Sequence, residues 1–238
     1  GILSLRNIVI TRMIFNIEYH SWQSRNTFSI NEKPITNDFF FKKKDFLKLC
    51  RMNYNRNLNM KRKNKMIVFI SDLHFVDETA GKQNIPISAF EFFLSNIKNQ
   101  SEKTKNKDKE LKIVFLGDIF DLLRTEEWFK EKEEDRHWGN NTKNMEKRAK
   151  IILDKIAEKN KDTFNLFSKK NRENRFKNTH VETIYIPGNH DRLCWMIGEL
   201  KEKVMELLNL NANNAEHFKH SFFSIEHGVY ATHGHIFD

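Results

Sequence analysis

Two regimes of hydrophobic patterning follow one another along this chain. Short runs of β-branched and aromatic residues, Met66–Ile70, Ile113–Leu116, Thr183–Ile186 and Val229–Thr232, stop abruptly at small or polar residues. Most are apolar almost throughout rather than strictly alternating, which marks strands buried on both faces of a sheet. Between them, apolar positions take helical spacing. Phe90, Phe93, Leu94 and Ile97 follow i, i+3, i+4, i+7, and Ser88 with Glu91 forms a capping box in front of them. Met145, Ala149, Ile152 and Ile156 mark a second amphipathic helix, and Leu193 to Leu208 a third, long one. Glu126 to Arg136 reads as a further helical piece, and Ser221–Ile225 with Val229–Thr232 as a hairpin turning at His227-Gly228. Strand, crossover helix and second strand together form the unit that builds parallel sheets. The pattern predicts an α/β domain over residues 66–238, with a charged helical insertion at about 122–182.

Composition and charge change this picture mainly at the N-terminus. Residues 1–65 carry 14 Lys and Arg against 4 Asp and Glu, so the net charge of +9 belongs to that segment alone. Its basic residues are interspersed with Asn and Phe in no repeat. The expectation is a poorly ordered basic extension, with one helical pattern at 45–52 and the domain proper starting near Met66. Such an arm also suits nucleic acid, a possible but less favoured partner. Two cysteines, Cys50 and Cys194, give neither a disulfide framework nor a CxxC knuckle, which points to a reducing, cytoplasmic setting. No apolar run approaches the length that crosses a bilayer.

The strand ends carry the candidate chemistry: Ser71-Asp72-Leu73-His74, Gly117-Asp118-Ile119-Phe120-Asp121, Pro187-Gly188-Asn189-His190-Asp191 and His233-Gly234-His235. Singly these are weak signals, since a lone His is more often structural and Asn-His after Gly is more often a turn. Four in order, each directly after a hydrophobic strand, point to a metal centre at one sheet edge. Oxygen and imidazole donors without thiolates suit Mn²⁺, Fe or Zn²⁺ better than Ca²⁺ or a structural zinc. A pair of divalent ions needs a bridging anion, and Asp118 is read as that shared carboxylate.

This ordered set resembles the calcineurin-like metallophosphoesterase superfamily, over about residues 66–238. The resemblance implies a β-sandwich flanked by helices (αββα) that holds two divalent metal ions, Mn²⁺ first among them. By the same resemblance, Asp72 and His74 would bind one ion, Asn189 and His233 the other, and Asp118 both. His190 would face the substrate, stabilising phosphoryl oxygens or protonating the leaving group, and Asp191 would orient His190. The implied activity is phosphoester hydrolysis, in which coordination lowers the pKa of a water and the resulting hydroxide attacks phosphorus in line. Asp121 is expected to hold His74 or a backbone amide, or to cap the following turn. His235 is expected near the site, and Arg124, Trp128, His137 and Trp138 are candidate substrate contacts from the insertion. The family closes its site with a further G-H-x-H, and no such motif follows His235 up to Asp238. The expectation is therefore a sandwich truncated at its C-terminus. Two readings stand against the enzyme: a non-catalytic scaffold with a degenerate metal site, and a nucleic-acid-binding protein or nuclease that uses the basic arm.

Overall fold

The computed structural model describes residues 8–10, 64–102, 109–210, 218–224 and 227–234. Four parallel strands, β1 (Ile8–Ile10), β2 (Asn64–Ile70), β3 (Lys109–Leu116) and β4 (Thr179–Ile186), form one sheet in the order β1-β2-β3-β4. The register runs from Asn64↔Lys109↔Thr179 at one end to Ile70↔Phe115↔Tyr185 at the other. Three strands therefore end level, and the segments that leave them emerge along one edge. β3 lies between β2 and β4, so its residues Ile113, Val114 and Phe115 are fully buried, which is why the run is apolar throughout. The strands begin earlier than the apolar runs suggest. Their polar first halves still pair, with Lys112 Nζ on β3 lying 2.5 Å from Glu182 Oε2 on β4. β1 comes from the basic N-terminal stretch and pairs with β2 at Ile8↔Ile67. The other expectations for residues 1–63, including the helix at 45–52, lie outside the described residues.

Side chains alternate across the sheet, and each face has its own cover. Val68, Ile70, Leu111, Ile113, Phe115 and Tyr185 join the larger core with the helices. Helix α1 (Ile87–Glu102) buries Phe90, Phe93, Leu94 and Ile97 there, at the spacing read from the sequence. Its start differs from the expected capping box. The helix begins at Ile87 and the Ala89 N–H donates to Pro86 O, so Ser88 sits inside the first turn instead of capping it. Helix α2 (Lys143–Lys159) is capped by Thr142, whose Oγ1 accepts from the Met145 N–H at 3.1 Å. Helices α3 (Lys161–Leu166) and α4 (Lys169–Arg175) complete the insertion. Glu126 to Arg136 does not form one helix but two 3₁₀ turns, Glu126–Lys130 and Glu133–Asp135.

The long helix expected from Leu193 is two pieces, α5 (Leu193–Met196) and α6 (Gly198–Leu207). Ile197 breaks it with an extended backbone (φ −108°, ψ 118°), a conformation its β-branched side chain favours, and Gly198 directly after it is a weak helix former. On the second face, Ile67, Phe69, Val114, Leu116, Ile184 and Ile186 meet Phe222, with Val229 and Ala231 packed alongside. These last residues belong to an antiparallel hairpin, β5 (Phe222–Ser224) and β6 (Val229–Ala231), registered Phe222↔Ala231. Phe222 meets Phe69 edge-on at 5.5 Å between ring centroids. The architecture is a mixed α/β fold, with helices on one face of a parallel sheet and a hairpin on the other.

Candidate metal centre

Past the ends of β2 and β3 the two chains keep running side by side. The Asp72 N–H donates to Gly117 O at 3.2 Å, His74 N–H to Asp118 O at 2.9 Å and Phe75 N–H to Ile119 O at 2.9 Å. Four residues in these two segments have left-handed backbone: Asp72 (φ 56°), His74 (φ 47°), Gly117 (φ 78°) and Asp118 (φ 51°). That region costs an L-residue about 1 kcal/mol or more and is tolerated best by Gly and Asp. Here it interrupts strand alternation where the acids and the imidazole stand. A ladder on both sides over-determines the conformation, because pairing resumes at the Phe75↔Phe120 bridge.

Asp118 is the centre of the cluster, only 4% exposed. His233 Nε2 lies 3.5 Å from Asp118 Oδ2 and 3.7 Å from Asp72 Oδ1, and His74 Nε2 lies 3.9 Å from Asp118 Oδ2. The donors fall into two groups, Asp72–Asp118–His233 and His74–Asp118–His190, each with its ligand atoms within 4.8 Å of one another. Asp118 belongs to both. Its Oδ1 accepts from the His190 backbone N–H at 2.9 Å, which ties the β4 loop to the β3 end. Ser71 Oγ donates to Asp72 Oδ2 at 2.7 Å and steadies that carboxylate. Two glycines make the crowding possible. A Cβ on Gly188 would lie 2.2 Å from Asp118 Oδ1, and one on Gly117 would lie 2.3 Å from the His233 ring.

Asp121 holds both of the other imidazoles. His74 Nδ1 sits 3.2 Å from its Oδ2 and His190 Nδ1 sits 2.9 Å from its Oδ1, so each Nδ1 donates. Oδ1 also accepts the backbone N–H groups of Leu123 and Arg124, so the holding and the capping roles coexist. Burial alone would raise the Asp121 pKa, but the bonds to His190 and His74 outweigh it and hold the carboxyl far below the usual range. Arg124 Nε lies 3.5 Å from Asp121 Oδ2 without the alignment of a hydrogen bond, so it contributes charge only. His190 is in turn shifted upward, first by its bond to Asp121. Burial pushes His233 down, but the bond to Asp72 and the nearby charge of Asp118 outweigh it and raise its pKa.

The remaining site residues depart from the expectation or lie apart from the cluster. Asp191 does not reach the His190 ring. It is fully buried, and its carboxylate accepts from the Gly188 N–H at 2.5 Å and the Ile119 N–H at 2.9 Å, clasping the β4 loop to the β3 loop. The donor groups set Asp72 beside His233, and His74 beside His190, all of them around Asp118. Asp121 draws both of the latter rings to itself, and they meet edge to face at 4.7 Å. Asn189 is exposed in the loop between Gly188 and His190, and His235 lies outside the described residues.

Carboxylate oxygens and imidazole nitrogens converging on one buried acid are a donor set that fits divalent cations of the Mn²⁺, Fe or Zn²⁺ type. Ser71, Gly117 and Gly188 were not singled out from the sequence. For the two glycines a signal was present, because each directly precedes a loop acid or amide. Fold and site together define an α/β protein with a carboxylate–imidazole centre at the C-terminal edge of its parallel sheet. The family model for calcineurin-like phosphoesterases matches residues 65–237, most of the chain, and the chain belongs to that family. Comparison with curated proteins and with solved structures gives no match. Among the described residues, no helix is long and apolar enough to cross a membrane.

Proposed function

We propose that residues 66–238 form a dinuclear metallophosphoesterase of the αββα type, interrupted by the insertion at about 122–182, that hydrolyses a phosphoester substrate. Asp72, His74, Asp118, Asn189 and His233 hold two divalent ions, Mn²⁺ first among the candidates, with Asp118 shared. When bound, such ions supply Lewis acidity toward the phosphoryl oxygens and a nucleophile at neutral pH. The chain's own residues do the rest. Asp121 accepts the Nδ1–H hydrogen bond of His190 and fixes the ring, which leaves Nε2 as the nitrogen that can hold a proton for the substrate. His190 thereby neutralises charge on the phosphoryl oxygens or protonates the departing oxygen. Asp191 keeps the Gly188–His190 loop at its distance from Asp118. The buried free thiol of Cys194 suits a reducing, cytoplasmic setting.

The observation that carries this reading is the membership of one buried carboxylate, Asp118, in both donor groups. The test uses the full chain, stripped by chelator and reloaded with Mn²⁺, acting on an aryl phosphoester. Restored hydrolysis is expected. His190→Ala should lower kcat by about 10²–10⁴-fold and keep the metal, whereas Asp118→Asn should lose both. Equal metal content and equal rate in Asp118→Asn would refute the assignment.

A further inference from the structure

The insertion carries an aromatic cluster that neither the core nor the proposed chemistry uses. Phe129 is 68% exposed and Trp138 is 49% exposed. Exposed aromatic rings are usually mobile and incidental, but these two are held. The Arg136 guanidinium carbon sits 5.3 Å from the Phe129 ring centroid and 5.6 Å from that of Trp138, between the two rings. Arg136 is itself pinned, because its Nε donates to Glu131 O at 3.2 Å. His137 meets Trp138 edge-on, with 4.2 Å between centroids and 85° between planes. Together these contacts make a rigid, half-solvated π surface, the kind that binds at low entropic cost.

That surface is fastened to the candidate metal centre at two points. Trp128 Nε1 donates to Leu122 O at 2.7 Å, one residue from Asp121, and the Trp128 ring lies 5.2 Å from the His137 ring. From the other side, Arg192 Nη2 donates to His137 O at 3.1 Å, one residue from Asp191. The two loops that hold His190 therefore both carry the aromatic cluster. Charge does not select the ligand here, because exposed Glu133 and Glu134 are flanked by exposed Lys132 and by Arg136 between the rings, so ring stacking is the specific attraction the cluster offers.

We propose that Trp138, with Phe129 and Arg136, stacks a flat aromatic ring on the leaving-group side of the substrate, and that the substrate class is the nucleoside monophosphate. This rests on the phosphoesterase reading and deepens it. One phosphate addresses the metal centre, and the base lies on the insertion. Base stacking on an aromatic side chain of this kind is worth about tenfold or more in affinity.

The test compares adenosine 5′-monophosphate with ribose 5-phosphate, which present the same phosphorylated primary alcohol with and without the base. Calorimetric titration of the full chain should show about tenfold tighter binding of the nucleotide. Trp138→Ala should bring that ratio close to one, and Trp138→Phe should restore most of it. Circular dichroism checks that the variants remain folded. Equal affinities for the two ligands in the unaltered chain would overturn the proposal. So would a ratio unmoved by Trp138→Ala, or concentration-dependent dimerisation abolished by that variant, which would make the rings an interface between copies. If the metal-loaded chain hydrolyses the aryl phosphoester but not adenosine 5′-monophosphate, the nucleotide assignment fails and the phosphoesterase reading stands. If it binds the nucleotide with this preference and hydrolyses neither, the phosphoesterase reading and the substrate assignment both fail.

Discussion

Two acid clusters in this protein are built to opposite ends. In the insertion, Glu127 is 2% exposed and surrounded by fixed cations: Lys130 Nζ at 2.6 Å, Lys155 Nζ at 2.5 Å and Arg148 Nη1 at 3.0 Å. Its charge is fully answered by groups that stay positive at any physiological pH. At the sheet edge, Asp72 and Asp118 face imidazoles, and Arg124 lies against Asp121 instead. Imidazole is a half-measure, neutral or charged according to its surroundings. One cluster is complete without a ligand, and the other has negative charge to spare. The difference separates an acid that holds the fold from an acid that awaits a cation, although both are buried and both are surrounded by nitrogen.

The comparison breaks most sharply at Asp118. Asp118→Asn keeps the size and the acceptor for the His190 amide but removes the shared charge. Mn²⁺ affinity measured by calorimetry should fall about 100-fold or more. Thermal stability of the metal-free chain should stay level or rise, because like charges at the edge are relieved. A variant that bound Mn²⁺ as before would show that the two donor groups do not share this acid. Glu127→Gln should do the reverse. That leaves Lys155 without its acid and Arg148 with Glu131 alone, which should cost about 2 kcal/mol in denaturant unfolding and leave Mn²⁺ affinity where it was.

Acid sharpens the same contrast. Burial raises the Glu127 pKa, but the bonds and charges of Lys130 and Lys155 more than reverse this, taking it from the ordinary 4.5 to about 2. A carboxyl whose folded pKa is depressed contributes stability that is complete above its unfolded pKa and is lost as pH falls through the folded one. Between pH 4.5 and 2 the insertion should therefore lose about 2 kcal/mol, after allowance for the exposed lysine partners. Glu127→Gln should flatten that part of the stability–pH curve. An unchanged slope would mean that the lysines contribute nothing.

How much of this was legible in the sequence follows from the range of each interaction. The apolar halves of the strands, the parallel crossover from β2 to β3, and the helix faces of Phe90 and Met145 depend on local periodicity, so they can be read. The strand-end acids can be read because a buried parallel strand must end before a charge can stand. What could not be read depends on three-dimensional approach. Asp191 follows His190 directly, and the family resemblance implies that it serves that ring. The loop instead turns Asp191 inward to Gly188 and Ile119, and a residue 69 positions away, Asp121, takes the imidazole. The break at Ile197 was equally hidden, because the apolar spacing from Leu193 to Leu208 runs through it without a fault.

The smallest effects come from two glycines and separate close approach from backbone freedom. A Cβ at Gly188 would enter Asp118 Oδ1 at 2.2 Å, while one at Gly198 would meet nothing within 4 Å. Gly188→Ala must push the loop away from Asp118, or displace its carboxylate within the donor groups. A fall of about tenfold in Mn²⁺ affinity is expected, comparable to loss of a group that orients a ligand. Gly198 opens α6 with room around it, so Gly198→Ala should stabilise the chain by about 0.5 kcal/mol and leave Mn²⁺ binding as it was. The two substitutions add the same methyl group, and only the neighbour differs. Equal metal affinities in both variants would mean that Gly188 serves its turn alone and that the packing of the β4 loop against Asp118 does not shape the centre.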